Sequence, residues 1–403
     1  MQRDILVQIL PLLTVTVFAM GTIVGSFLNV VVWRLPRGES LVHPGSHCPK
    51  CNHAIRPWEN IPIVSWLVLR AKCSNCGQPI SIRYPLVEFA TGLIYLLLWW
   101  RVWSGNMPLS IIWGYLFLGS ALIAATLIDI EHMIIPNRIT LTGIAVAAVL
   151  ALLWPASHLE QNLAGSPEGS HLVLDWFLDA TAPLAAKLWP LERARALVDV
   201  LLGAAFGYGM LWLLLEAGKR LWGRLRISLE PPADAILDPT GLRVGQHLQE
   251  EWEDMFFRES DRCRAHAAQA TVEFADNTAP AIYDDARLTA GSQGLDVDGV
   301  HYAWPDIRCV RATVDSLVLP REAMGFGDLK LLAMIGAFLG ADATVFVLMI
   351  AAATGCLVGT ARIALRSQHR HNPIPFGPFL ATAALVWIVF GEAMLQWYIR
   401  RFL

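Results

Sequence analysis

The stretch IIWGYLFLGSALIAATLIDIEHMIIPN (111–137) decides what kind of protein this is. Its first part, 111–128, carries no charge at all, and Asp129 and Glu131 follow immediately. A helix needs roughly 20 mostly apolar residues to cross the hydrocarbon of a bilayer. This run is long enough, and it ends on a carboxylate, a group that is costly at membrane depth and usually functional there. Similar apolar runs lie near 5–33, 85–103, 138–155, 196–216, 342–365 and 378–398, with a shorter one at 329–340. Composition agrees. The chain is 55% hydrophobic and only 16% charged, where an ordinary soluble domain carries about a quarter charged residues. Mean hydropathy is +0.46. Many of the 16 Trp residues, among them Trp99, Trp100, Trp154 and Trp397, sit near the ends of apolar runs, where an indole suits the membrane–water boundary. A net charge of −3 gives no basic field for nucleic acid, so no nucleic-acid partner is expected.

The first run reads as a retained span. It is too long for the apolar core of a signal peptide, and no small-residue cleavage site follows it. Orientation follows from the basic residues. Segment 34–84 holds Arg34, Arg37, Lys50, Arg56, Arg70, Lys72 and Arg83 against Glu39 and Glu59, and Lys219, Arg220, Arg224 and Arg226 follow the fifth run. The positive-inside rule puts both regions in the cytoplasm. Alternation then puts 129–137 on the same side and 156–195 outside.

The expected fold is an all-α polytopic membrane protein of seven to eight transmembrane helices. It carries a cytoplasmic zinc-knuckle loop and a larger cytoplasmic, β-containing insert. The expected divisions are a first helix at 1–33, the zinc loop at 34–84, helices with the first acid at 85–155, and an outer loop at 156–195. A helix at 196–216, the insert at 217–323 and a C-terminal helical part at 324–403 complete the chain. The insert has 18 acidic against 12 basic residues. Its segments 270–274, 299–304 and 307–314 alternate like short strands; a partly disordered linker is the other reading.

Two Cys-x2-Cys pairs, Cys48/Cys51 and Cys73/Cys76, sit in Pro-, Gly- and Asn-rich turns (HCPKCNH and KCSNCGQ). That spacing supplies four thiolates to one tetrahedral Zn²⁺, with no position left open for catalysis. Free thiols or a redox pair remain the alternative. Structural disulfides are disfavoured in a cytoplasmic loop. His43, His47 and His53 read as surface residues, and Cys263, Cys309 and Cys356 lack partner spacing.

Asp129 ends one apolar run and Asp328 begins another, in MGFGDLKLL (324–332). Either alone reads equally well as a helix cap. Together they allow more. Two carboxylates close together in a low-dielectric site cannot both ionise easily. The charged one can deprotonate water while the protonated one polarises a carbonyl. Gly325 and Gly327 would let backbone approach a bound peptide. Lys330 either modulates Asp328 or lies along the interface with its amine in water. Glu131 is two residues from Asp129 and so does not share its helical face.

These segments resemble the type IV prepilin peptidases. The resemblance rests on GSFLNVVVWRLPRGES (25–40), WENIPIVSWLVLRAKC (58–73) between the two Cys pairs, IRYPLVEFATG (82–92), LIDIEHMIIPN (127–137), GFGDLKLLAMIGAFLG (325–340) and IPFGPFLA (374–381). It implies an intramembrane aspartyl endopeptidase of the GxGD type, with Asp129 and Asp328 catalytic. Such enzymes cut the basic leader from prepilins and pseudopilins at the cytoplasmic face of the bacterial inner membrane. The zinc loop goes with the branch that also N-methylates the new N-terminus from S-adenosylmethionine. Pilus or type II secretion machinery would take the products. The long insert and the 156–195 loop depart from the family pattern. A catalytically inactive, membrane-anchored zinc-knuckle adaptor of such an assembly is the competing reading. A transporter is a third, but it predicts broken helices around a midplane site.

Overall fold

The computed structural model describes residues 2–105, 107–155, 192–222, 224–245, 248–252, 262–276, 278–320, 325–365 and 374–402. The expected outer loop at 156–195 lies almost wholly outside these residues. The chain divides into two compact units, one formed by 1–212 and 325–403 and the other by 213–324.

The first unit is helical. Its elements are α1 (Gln2–Arg34), the short α2 (Val64–Val68), α3 (Arg83–Ser104), α4 (Ile111–His132) and α5 (Asn137–Leu153). They continue with α6 (Glu192–Trp222), whose residues from 213 on belong to the second unit, α7 (Phe326–Leu339), α8 (Ala341–Ala364) and α9 (Gly377–Phe402). Five stretches are long and apolar enough to cross a membrane: 10–34, 83–104, 111–132, 196–218 and 341–362. Two shorter apolar helices, 137–153 and 377–391, accompany them. Length and composition therefore give five crossing helices among the described residues, rather than the seven to eight expected.

Small residues set the helix contacts, as happens where lipid removes the hydrophobic drive between helices and close packing must supply it. Gly21 and Gly25, four apart on α1, face α3. A Cβ on Gly21 would lie 2.8 Å from the Cα of Gly92, and one on Gly25 would lie 2.7 Å from the Cα of Glu88. Gly203 and Gly207 repeat the pattern on α6 against α7, where added Cβ atoms would meet the carbonyl oxygens of Gly336 and Leu332 at 2.2 and 2.6 Å. Gly143 of α5 admits Met334 in the same way.

The consequence is α7. Every residue from Leu331 to Leu339 is buried, so this helix is apolar all round because it is enclosed all round. Phe338 stacks on Phe117 of α4 at 5.9 Å. Gly340, at φ +85°, ends α7 and turns the chain into α8.

The second unit overturns the all-α expectation. Strands β1 (Arg224–Asp238), β2 (Gly241–Val244), β3 (Leu248–Glu251), β4 (Cys263–Phe274), β5 (Ala281–Ala290), β6 (Gly294–Val297), β7 (Val300–Ala303) and β8 (Ile307–Pro320) form one sheet. Their order is β3-β2-β1-β8-β4-β5-β6-β7, and every pairing is antiparallel. The three segments with strand-like alternation lie in β4, β7 and β8, but the sheet takes in far more of the insert.

The physical reason is long-range pairing. β1 pairs with β8 from Arg224 against Pro320 onward, and its register shifts between Ser228 and Ala233, across Pro231 and Pro232. A bulge is where a strand tolerates proline, and locally those prolines read as a break. β4 buries Cys263, Ala265, Ala267, Ala270 and Val272; its alternation slips at the irregularity between Ala267 and Gln269. Trp252 after β3 and Trp304 after β7 belong to opposite ends of the sheet. Their rings meet at 5.3 Å, so the sheet curls around its apolar core.

Candidate active site

Asp129 lies in the last turn of α4. The helix stops just beyond it because Met133 takes a left-handed conformation, φ 54°, and donates its N–H to the Asp129 carbonyl at 2.9 Å. That is a helix-ending αL cap, adopted here by a non-glycine residue. Pro136 precedes α5 and supplies an extended residue at its start. The hairpin 129–137 is thereby fixed at both ends.

Asp328 lies in the first turn of α7, behind Gly325 as the extended capping residue, and its N–H donates to the Gly325 carbonyl at 3.2 Å. Carboxylates favour that end of a helix. Gly327 matters most for packing. A Cβ there would sit 2.9 Å from the Cβ of Ile135. Gly325 has no such constraint; its nearest neighbours would be ordinary contacts at 3.9 Å, one of them Asp328 Oδ2.

Ile135 joins the two acidic segments. Its Cβ touches the Gly327 side and its Cδ1 lies 3.1 Å from where a Cβ of Gly377 would be. Gly377, the first residue of α9, donates its N–H to Asp129 Oδ2 at 2.9 Å. The segments that carry Asp129 and Asp328 are thus brought together around Ile135, with both acids buried. Their surroundings differ. Asp129 Oδ2 accepts the Gly377 N–H and the Asp328 carboxyl has a backbone partner in Gly325, but Asp328 Oδ1 is buried without a hydrogen-bond partner. An unpaired oxygen in such a site is available to a substrate carbonyl or to water.

Lys330 does not approach Asp328. Its Nζ donates to Asn137 Oδ1 at 2.7 Å, tying the first turn of α7 to the start of α5. Glu131 pairs with Arg83 and stands apart from the two acids.

Gly377, Ile135 and Asn137 were not singled out from sequence. A backbone N–H leaves no trace in composition. The signals were the runs LIDIEHMIIPN, which holds Ile135 and Asn137, and IPFGPF, which holds Gly377. The structure makes Gly377→Ala informative. The new methyl group would lie 2.7 Å from Asp129 Oδ2, so the carboxylate must move. We expect kcat to fall on the order of 100-fold with KM little changed, since an ångström of misplacement costs about that much. An unchanged kcat would remove Gly377 from the site.

The four cysteines also converge. Cys48 Sγ lies 3.9 Å from Cys76 Sγ, and Cys51 Sγ 4.0 Å from Cys73 Sγ. All four sulfurs fall within 4.8 Å of one another. Zn–S bonds of ~2.3 Å in a tetrahedron separate sulfurs by about 3.8 Å, so the donor set fits such an ion. The two knuckles repeat one another. Cys48 N–H donates to His53 O and Cys73 N–H to Gln78 O, while Asn52 and Gly77 take matching left-handed conformations. Backbone N–H groups of Cys51 and Lys50 draw the Cys48 thiol below its ordinary value, and that of His53, with the Asn75 amide, does the same for Cys51. Both shifts favour the thiolate that binds metal, while Cys76 goes the other way: against the Gln78 backbone N–H, which lowers it, burial and hydrogen bonds from the neighbouring thiols push it up to about 11. His53 is turned toward Glu59 at 3.7 Å, and His47 Nδ1 toward Gly45 O at 2.9 Å, so neither joins the cluster.

Comparison with known proteins agrees with this geometry. The profile of the bacterial peptidase A24 N-terminal domain matches residues 19–102. The profile of the type IV leader peptidase family matches 116–169 and 302–360, passing over 170–301 and most of the β-sheet unit. The prepilin leader peptidase/N-methyltransferase of Myxococcus xanthus is 41% identical over 60% of this chain and 84% of its own length. Those of Aeromonas hydrophila and Pseudomonas aeruginosa are 28% and 26% identical; they cover 96% and 94% of this chain, and 94% and 91% of their own lengths. No solved structure matches. With its two acids gathered behind helices that these profiles cover, this membrane chain belongs to the type IV leader peptidase family.

Proposed function

We propose that this protein is a prepilin leader peptidase and N-methyltransferase. It cleaves the leader of type IV prepilins or pseudopilins and methylates the new N-terminus. The observation that carries the peptidase half is the burial of Asp129 and Asp328 on segments brought together around Ile135, inside a chain 41% identical to a relative named for both activities.

The difference between the two acids supports a division of labour. Asp129, held by the Gly377 N–H, is the charged partner and takes a proton from water. Asp328, with a free buried oxygen, carries the proton and gives it to the scissile carbonyl oxygen. The water oxygen bonds to the carbonyl carbon. The tetrahedral intermediate then collapses: the C–N bond breaks as the leaving amine takes up the proton from Asp129, and one hydroxyl of the intermediate returns its proton to Asp328 as the carboxyl product forms. One shared proton between close carboxylates is what makes both roles available at neutral pH. Gly325, Gly327 and Lys330 are assigned to shaping this site. Gly327 permits the close approach to Ile135, and Lys330 clips α7 to Asn137.

Cys48, Cys51, Cys73 and Cys76 would hold a structural Zn²⁺, which when bound ties the two knuckles together and leaves water activation to the acids. S-adenosylmethionine would supply the methyl group to the exposed amine. We assign the protein to the bacterial inner membrane with its site on the cytoplasmic side, a reading supported by the basic residues of 34–84 and 219–226. Its products would feed a pilus or a type II secretion machine.

The test is a prepilin peptide with methyl-labelled S-adenosylmethionine and the purified full chain, scoring cleavage and methyl transfer separately. We expect both. Methylation without cleavage would overturn the peptidase assignment, and cleavage without methylation the second activity. Neither activity would return the chain to the adaptor reading.

A further inference from the structure

The loop that carries the cysteines turns its apolar side chains outward. Along 61–68 the outward positions are Ile61, Val64, Leu67 and Val68, at 47%, 52%, 61% and 73% exposure. Val64, Leu67 and Val68 stand at i, i+3 and i+4 and so share one face of α2. The inward positions include polar groups. Trp66 directs its indole N–H to the Ile80 carbonyl at 3.1 Å, and Ser65 is half-buried. Ile63 and Leu69 are half-buried as well, so α2 is apolar on both sides and its outer face is left exposed.

Depth supplies the second observation. The N–H of Ile63, just before α2, donates to Glu88 Oε2 at 2.7 Å. Glu88 is the sixth residue of the span 83–104, hence about 7.5 Å in from its start at 1.5 Å per residue. Glu88 also packs on Gly25, nine residues before the end of the span 10–34 and so about 13 Å in from that end. The hydrogen bond therefore holds the start of α2 beside the first two turns of the span 83–104. Interfacial helices bury their apolar face ~5–10 Å into the boundary. Arg56, Arg70 and Lys72 flank the segment and are exposed, which suits anionic headgroups.

We propose that α2 is seated in the bilayer interface, with Ile61, Val64, Leu67 and Val68 against lipid acyl chains. The cysteine knuckles are then held at the membrane surface through Trp66 and Ile80, beside the spans, rather than standing off in water. The occupant of this face is lipid, because the exposed cations Arg56, Arg70 and Lys72 flank it and the Ile63–Glu88 hydrogen bond holds it beside the span 83–104.

The test uses the full chain in nanodiscs of phosphatidylethanolamine and phosphatidylglycerol. A benzophenone amino acid replaces Ile61, Val64, Leu67 or Val68 one at a time, and Ser74 or Gln78, exposed in the second knuckle, as references. Lipid adducts are counted by mass spectrometry after irradiation. We expect several-fold more lipid adduct at each of the four positions than at Ser74 or Gln78. Equal yields would overturn the proposal. So would adducts to a second copy of the chain, or loss of the lipid adducts when a prepilin peptide is added, which would make the face a protein-binding one. The four positions are read independently, so one variant that fails to insert leaves the others to decide.

Discussion

Asp129→Asn and Asp328→Asn are each expected to lower leader cleavage by ~10²–10⁴-fold, the range a positioned acid or base contributes, with the protein still inserted in the membrane. The two substitutions fail for different reasons. At position 129 an amide oxygen can still accept the Gly377 N–H that Asp129 Oδ2 accepts at 2.9 Å, so the geometry is kept and only the basic charge is lost. At position 328 the side chain already lies where one oxygen has no hydrogen-bond partner, so a neutral amide is tolerated there but cannot hand a proton to a carbonyl. Both variants should therefore fold. The control is methyl transfer to a peptide already lacking its leader, which should persist in both. Loss of both activities together would signal misfolding. Full cleavage by either variant would end the two-acid mechanism.

Loss of the metal is expected to have the largest structural effect. Between residues 36 and 84 the one buried side chain is Cys48. This loop has no apolar core to hold it, and α2 turns its apolar face outward. Four sulfurs within 4.8 Å would have to replace the core, and a structural zinc is worth on the order of 10 kcal/mol in small sites of this kind. We expect Cys48→Ser, or treatment with a strong chelator, to abolish bound zinc by elemental analysis and to open the loop to tryptic cleavage after Arg70 or Lys72. Methyl transfer should fall with it. Cleavage should fall much less, because both acids stand on α4 and α7 and neither knuckle contributes to their contacts. A chelated protein with an intact, protease-resistant loop would show that the four thiols hold it without metal.

The unequal legibility of the two units has a simple cause. Hydrophobicity along 111–128 and the other runs is a local quantity, summed over neighbours in sequence, and a membrane helix needs nothing more to be recognised. The cysteine site was equally local, since each knuckle is completed within a few residues and its spacing is its geometry. The sheet was not. β4 reads CRAHAAQATVEF, where buried positions are filled mostly by alanine, a residue that favours helix when nothing else decides. β1 carries two prolines. Both become strands because β8, arriving from the far end of the insert, pairs with each of them. Tertiary pairing overrode local preference, and the all-α expectation failed there.

Sequence alone determined that this is a membrane protein, that two carboxylates stand at the ends of apolar runs, and that four cysteines have the spacing of one metal site. Only the tertiary structure decided that the segments bearing these carboxylates come together around Ile135. Nearly 200 residues separate Asp129 from Asp328. What closes that distance is close packing of α7 against glycines of α5 and α6, with Ile135 wedged between Gly327 and Gly377. Such packing depends on absent side chains and on one backbone N–H, and neither announces its partner within any short window of sequence.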